Sequence, residues 1–506
     1  MKTIAATVLQ LQKKGISLVR EGDDIRYRAA SDGPPAAILQ ELSRRRDELF
    51  LYWQARDSMV FPPLGRSGEP TLPSITQEMW WRWIDQDTSL TLSLMEFVKG
   101  SSTEALVETI KGMAMRHETL RSRFSEENGV LKVAFNAAAG FRVETETLSS
   151  SATVESLKGL VDAFIARPLT AGADWLVRAK VFWVPHKGHV AVIVANHLVV
   201  DGTSIDILRA ELRRPEKMPA PGRGETLSYS DFAAWQRTCL GRSGQALAAY
   251  WSAWSRSQPE LFSPGGKIPL RWRPGIKVRR TFTIPRFAHS ALIEFAGKNA
   301  TFPFMVYLAL LALAVARWSG QSRFPLRCIC DSRTVSALSS VVGLMTGADA
   351  IGISWNANHS FMDNLKEIEA EYHAAGRLRL PNIYAFPPFA VDAHEHDQRH
   401  NIAVVMNHRK TASHMGEAFP PPESWPPPEG VPRRDIWRHP VSSICLELTQ
   451  LGEMATAAFL MHEDTLTAAE QDGFIQTFFN VFEATVLRGN EAAKELAPRA
   501  ETVSKR

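Results

Sequence analysis

Cysteine is scarce in this 506-residue chain, with four in all: Cys239, Cys328, Cys330 and Cys445. None stands in CxxC spacing and they form no dense framework, which excludes a zinc-ribbon site and a disulfide-stapled secreted scaffold and fits reduced thiols in a cytoplasm. Long apolar runs are lacking too. The longest, residues 302–318, is too short to span a bilayer and reads as a buried helix, so no membrane association is expected. The first fourteen residues have neither an extended apolar core nor a small-residue cleavage pattern, which argues against a secretory signal. Charge excess is small: the net charge is +4, and the scattered Lys and Arg residues argue against nucleic acid as the main partner.

What is present is enough chain for two or three domains, each with its own core. Residues 1–56 read as a small module. A helix carries Ile4, Val8, Leu9 and Leu11, strands follow at 16–20 and 25–29 around Glu21-Gly22-Asp23-Asp24, and a second helix starts after Pro34-Pro35. The hairpin bears Arg20, Arg26 and Arg28, with Arg44-Arg45-Arg46 close in sequence. That charge suits either an acidic peptide ligand or a solvated basic face. A linker rich in proline and glycine occupies 57–72. Residues 73–240 alternate between helices, at 76–84, 102–117, 154–165 and 204–214, and strands, at 176–184 and 189–197. A crossover at 241–272 leads to a second α/β half at 273–495, with helices at 289–299 and 302–318 and a strand at 326–330; residues 496–506 form a tail. The proline-rich stretch 419–432 reads as a stiff surface loop.

The most informative segment follows His189. Val190, Val192 and Val194 alternate with Ala191, Ile193 and Ala195 in a run that predicts a buried strand. His197 sits where that strand ends, with Asp201 and Gly202 just beyond, and Thr203 or Ser204 is placed to cap a helix through Ile205, Leu208 and Leu212. A lone histidine after a strand is most often structural, but one delivered into a short acidic, glycine-containing turn has the layout of a catalytic imidazole. His394, His396 and His400 lie among Asp392, Glu395 and Asp397 and read as a solvated loop, so no metal site is expected. Cys328 and Cys330 alternate to one face of a strand, where packing is the simpler role.

Several stretches carry a family resemblance in order. Ser74-Ile75-Thr76-Gln77 with Trp81 matches SxxQxxxW; Arg116 to Arg121 with Phe124 matches RHExLRxxF; Asn196-His197 to Gly202 matches HHxxxDG with its first histidine replaced. Tyr229 to Gln236 and Tyr250-Trp251 match YxDFAxWQ and YW, and Asp331-Ser332-Arg333 and residues 341–346 loosely match two later stretches. Met406-Asn407 and Leu446-Glu447-Leu448 fall where family strands lie. Over most of its length the chain thus resembles the condensation domains of nonribosomal peptide synthetases, and residues 1–56 resemble the β-hairpin docking domains named after tubulysin assembly.

The resemblance implies an α/β fold of two chloramphenicol acetyltransferase-like lobes in a V-shaped pseudo-dimer, preceded by a small α-β-β-α docking domain. It implies an acyltransferase with no cofactor of its own. The acyl donor would be a thioester on the phosphopantetheine arm of an acyl or peptidyl carrier protein, and the acceptor a small-molecule or carrier-bound amine or hydroxyl. The acidic tail of the carrier's protein would bind the hairpin. His197 becomes the general base, or else a hydrogen-bonding positioner. Asp201 takes a structural part, paired with Arg333, Asn196 is architectural, and Gly202 lets the backbone approach the reacting carbonyl and offers an amide to the oxyanion. No stretch resembles an adenylation domain or a carrier-type Gly-Gly-x-Ser, so the enzyme is expected to act in trans, a layout that fits chain release. Two other readings share these features: a non-catalytic scaffold that recruits carrier proteins, and a coenzyme A-dependent acyltransferase with the same HxxxDG turn.

Overall fold

The structure is a computed structural model that describes residues 11, 16–21, 24–29, 36–46, 49, 71–83, 90–217, 227–265, 269–270, 273–333, 338–376, 404–411, 424, 426–427, 429, 432–451 and 454–488. The chain divides into two compact units, one comprising Val60–Arg242 with Asp331–Gly347, the other Met1–Met59, Ser243–Cys330 and Ala348–Arg506. Asp331–Gly347 therefore packs with the first of these, although it lies inside the 273–495 stretch assigned by sequence to the second half.

In the first unit a four-stranded sheet runs β3-β8-β7-β6, built from β3 (Thr91–Val98), β6 (Val143–Thr147), β7 (Val177–Val184) and β8 (Gly188–Asn196). β8 is central, antiparallel to both neighbours, with Thr91 opposite Asn196 and Val177 opposite Ala195. Every β8 residue from His189 to Asn196 is buried, because apolar groups cover both of its faces. Ala191, Ile193 and Ala195 join a core with Leu106 and Ile110 and with Ile205 and Leu208, while Val190, Val192 and Val194 pack with Val161 and Phe164. Those partners come from three helices, Thr103–Arg116, Gly202–Arg213 and Val154–Ala166. A separate hairpin of β4 (Ser122–Glu127) and β5 (Val130–Phe135) turns through Asn128-Gly129. Both turn residues have positive φ, 53° and 75°, the conformation that a two-residue hairpin turn needs.

In the second unit seven strands order as β11-β10-β12-β14-β15-β9-β13. They are β9 (Arg273–Ile284), β10 (Arg323–Asp331), β11 (Thr346–Ser354), β12 (Val404–Thr411), β13 (Arg433–Val441), β14 (Ile444–Leu451) and β15 (Met454–His462). β10, β12 and β14 are parallel, whereas β14, β15, β9 and β13 are successively antiparallel. Helix Pro303–Ser319 is buried on all sides from Met305 to Ala316 within this unit's core. That burial explains its lack of a polar face. Among the described residues no single helix is long and apolar enough to cross a membrane.

The N-terminal hairpin pairs β1 (Ile16–Glu21) with β2 (Asp24–Ala29) antiparallel. Leu11, Ile16, Leu18, Leu42 and Leu49 form a small cluster with Ala374. The histidine-rich stretch at 394–400 lies outside the described residues, as does most of 419–432.

Candidate active site

The site grows from the end of β8. The Asn196 amide donates to Leu176 O at 2.8 Å and the His197 amide to Leu90 O at 2.8 Å, so the ladder continues on alternate sides until the chain turns. Asn196 braces that turn from within. Fully buried, it donates through Nδ2 to Leu169 O at 2.8 Å and accepts the Leu198 amide on Oδ1 at 3.0 Å. A small side chain that both donates and accepts meets this demand, which is how asparagine serves where the family pattern has histidine. Leu198, Val199 and Val200 are fully buried and anchor the turn in the core, while His197 between them and the strand stays partly accessible.

Asp201 closes the loop and begins the helix Gly202–Arg213. Its Oδ1 accepts the Ser204 amide at 2.8 Å and the Ser204 hydroxyl at 2.7 Å, so Asp201 is the N-cap, not Thr203 or Ser204 as the sequence suggested. A carboxylate one turn earlier reaches the third amide of the helix, and Ser204 is then inside the helix supporting it. Thr203 instead donates to Asp331 Oδ2 at 2.7 Å. Gly202 takes the first helical position, at the positive end of the helix dipole.

Opposite Asp201 stands Arg333. Its Nη1 donates to Asp201 Oδ2 at 2.8 Å and Asp331 Oδ1 at 2.9 Å, its Nη2 to Asp201 Oδ1 at 3.2 Å, Ser204 Oγ at 3.1 Å and Gly343 O at 3.1 Å, and its Nε to Val341 O at 2.9 Å. Both side chains are almost wholly buried, at 2% and 3% exposed. Burial works to raise the Asp201 pKa, yet Arg333 and the Ser204 donors hold it below the ordinary carboxylate value. Burial likewise opposes the Arg333 charge, and Asp201 with Asp331 carries its pKa above the ordinary value. The pair is therefore charged, saturated and rigid. Next to it Gly343 lies against Tyr229 so closely that a Cβ would fall 1.9 Å from the ring.

Several of the other motif residues support the same loop from outside. Ser74 and Gln77 form a reciprocal cap: the Gln77 amide donates to Ser74 Oγ at 3.0 Å and the Ser74 amide to Gln77 Oε1 at 3.1 Å. Gln77 Nε2 then donates to Leu198 O at 2.9 Å, and Thr119 Oγ1 to Val199 O at 3.1 Å. Tyr229 donates to Leu344 O at 2.7 Å and shares a 2.7 Å hydrogen bond with Ser74. Arg116 and His117 both meet Glu211, at 3.0 and 2.7 Å. Trp81 stacks with Phe124, away from the loop. Trp80, which no motif marked, lies against the His197 ring with centroids 5.0 Å apart and planes at 17°. The one signal that could have found it is the i, i+3 spacing from Gln77.

Thus Asn196, His197, Asp201, Gly202 and Arg333 belong to one unit and one loop system. Arg20, Arg26 and Arg28 belong to the other unit, on the β1–β2 hairpin. There the register pairs Val19 with Arg26, Ser17 with Arg28 and Arg20 with Ile25.

Residues 85–381 match the Condensation domain family, and the chain belongs to that family. Phosphinothricin tripeptide synthetase PhsC of Streptomyces viridochromogenes is 26% identical over 340 residues, 63% of this chain. The chain spans only 30% of that protein's length. A solved structure described as the molecular basis for condensation domain-mediated chain release from the enacyloxin polyketide synthase superposes with a TM-score of 0.84 at 29% identity, covering 100% of this chain and 99% of that one. The EpoB NRPS cyclization-docking bidomain from Sorangium cellulosum shares the fold, at TM-score 0.62 and 14% identity over 95% of this chain and 97% of that one. The fold is the mixed α/β, chloramphenicol acetyltransferase-like fold of condensation domains.

Proposed function

We propose that this protein joins a carrier-bound acyl thioester to an amine or hydroxyl acceptor, with His197 as general base. The observation that carries the reading is the seating of His197. A partly accessible imidazole projects from a loop whose carbonyls are held by Gln77 and Thr119 and whose one carboxylate is neutralised by Arg333. With Asp201 committed to that ion pair, the imidazole is the group on the loop left to handle a proton. The acceptor O–H or N–H passes its proton to the ring as the new bond forms at the thioester carbon. The tetrahedral intermediate collapses with C–S cleavage, and the pantetheine sulfur leaves as a thiol carrying that proton. The Gly202 amide, at a helix start, is the candidate donor to the oxyanion. An already activated thioester needs alignment and proton transfer, which this chain's own residues supply.

Full-length similarity to the enacyloxin chain-release structure supports action in trans and release of the finished chain. The basic residues of the β1–β2 hairpin motivate a docking role for residues 1–56. Arg26 is exposed on the hairpin, and an acidic carrier tail would meet it, with Arg20 and Arg28 completing the basic set. The decisive assay loads an acyl group on a carrier protein, offers amine and hydroxyl acceptors, and follows transfer by intact-protein mass spectrometry. His197→Ala should lower transfer to a hydroxyl acceptor by about 10²- to 10⁴-fold, and unchanged transfer would refute the base assignment. Equal use of a free coenzyme A thioester would favour the coenzyme A-dependent reading. Wild-type protein that binds the carrier but transfers nothing would favour the scaffold.

A further inference from the structure

Gln77 and Trp80 lie three residues apart on helix Ile75–Trp83, so their side chains leave the same face, and both meet the His197 loop. Gln77 holds the Leu198 carbonyl. Trp80 sets its indole nearly parallel to the imidazole, 5.0 Å away at 17°, and is itself packed on the core of its unit. The face of an indole attracts a cation far more than it attracts a neutral ring. On the elements around the loop Asp201 and Asp331 pair with Arg333, Glu78 with Arg82 and Arg237, Asp206 with Arg209, and Glu211 with Arg116 and His117, while Glu118 accepts the Ser230 amide. His197 Nδ1 is buried, which leaves Nε2 as the nitrogen within reach of a substrate.

Resting on the general-base reading of His197, we propose that Trp80 is a positioning residue that fixes the imidazole plane and stabilises the imidazolium formed during transfer. In the catalytic cycle that cation forms when the ring takes the acceptor's proton and disappears when it returns the proton to the departing sulfur. An interaction selective for it lowers the barrier without tightening the ground state. Trp81, one residue on, cannot substitute, because its ring faces Phe124 and its Nε1 donates to Glu126 at 3.2 Å.

The test follows the His197 imidazole by NMR across pH in the full chain, its signal identified by loss in His197→Gln. In Trp80→Leu the titration midpoint should move to lower pH by about half a unit, the size expected of an ordinary cation–π contact. Trp80→Phe, which keeps an aromatic face, should recover part of the shift and guards against a folding defect. Coincident midpoints in wild type and Trp80→Leu would overturn the proposal. In the transfer assay with a hydroxyl acceptor, Trp80→Leu should lower kcat several-fold and move the acid limb of the pH profile by the same half unit, with KM for the carrier protein unchanged. A lower kcat over an unmoved acid limb would also overturn it. Because the NMR titration needs no turnover, an active His197→Ala would remove the general-base reading while leaving the ring contact separately measurable.

Discussion

Two ionisable groups are buried in this protein under opposite terms. In one unit Asp201 is enclosed with every partner it needs: Arg333 twice, Ser204 twice and the Met345 amide at 2.9 Å. In the other, His289 is 1% exposed and has Tyr307 Oη at 3.3 Å from Nδ1, while among the described residues its Nε2 meets no partner. Burial lowers the His289 pKa below the ordinary histidine value, whereas Asp201 overcomes the same burial and remains a carboxylate. Whether an enclosed group keeps its charge is decided by the completeness of its hydrogen-bond set rather than by depth alone.

The contrast can be broken from its stronger side. Arg333→Leu strands a buried carboxylate and should cost about 3–5 kcal/mol of stability, read as a large fall in the urea midpoint. Asp201→Asn with Arg333→Leu should cost less than the sum of the two single changes, because the charge and its counterion leave together.

Acid unfolding sharpens the comparison by separating two pH windows. Histidine in the unfolded chain takes a proton near pH 6.5, and folded His289 takes it only at lower pH, so the unfolded state binds more protons as pH falls through that value. The stability His289 contributes is present above about pH 6.5 and lost below it. Asp201 holds its contribution until pH falls below about 3.8, the unfolded aspartate value, and loses it toward the lower folded value. Urea unfolding at pH 7.5 and 5.5 should therefore show a drop on the order of 1 kcal/mol that His289→Phe reduces. Asp201→Asn should leave that difference in place. The smallest expected effect is Thr119→Val, which removes one donor to the Val199 carbonyl and should cost about 1 kcal/mol.

Much of the site could be read along the chain. The alternating run 190–195 became the central strand, and His197 sits one residue past its end. The spacing from Asp201 to Ser204 contained a cap, but capping geometry assigned it to the aspartate. The Asp201–Arg333 pair came from family resemblance, since no local spacing joins residues 132 apart. Six helices were placed to within a few residues, and Met406-Asn407 and Leu446-Glu447-Leu448 fell on strands as the resemblance implied, whereas β9, β11, β13 and β15 were missed. Their apolar residues are short runs such as Ala457 to Met461, which read equally as helix or strand until their neighbours are known. The β4–β5 hairpin was also missed, although Asn128-Gly129 is a strong hairpin signal.

Local order, then, is written in consecutive residues: a β-branched alternation, a cap, a helix face, a histidine delivered to a turn. These rest on backbone sterics and periodicity, which act over a few positions. Which indole covers the imidazole, which carbonyls of the loop are held and which guanidinium neutralises its carboxylate arose only on folding. Those contacts join Gln77 to Leu198, Thr119 to Val199 and Asp201 to Arg333, and their strength comes from exclusion of water, a condition that does not exist until the elements pack.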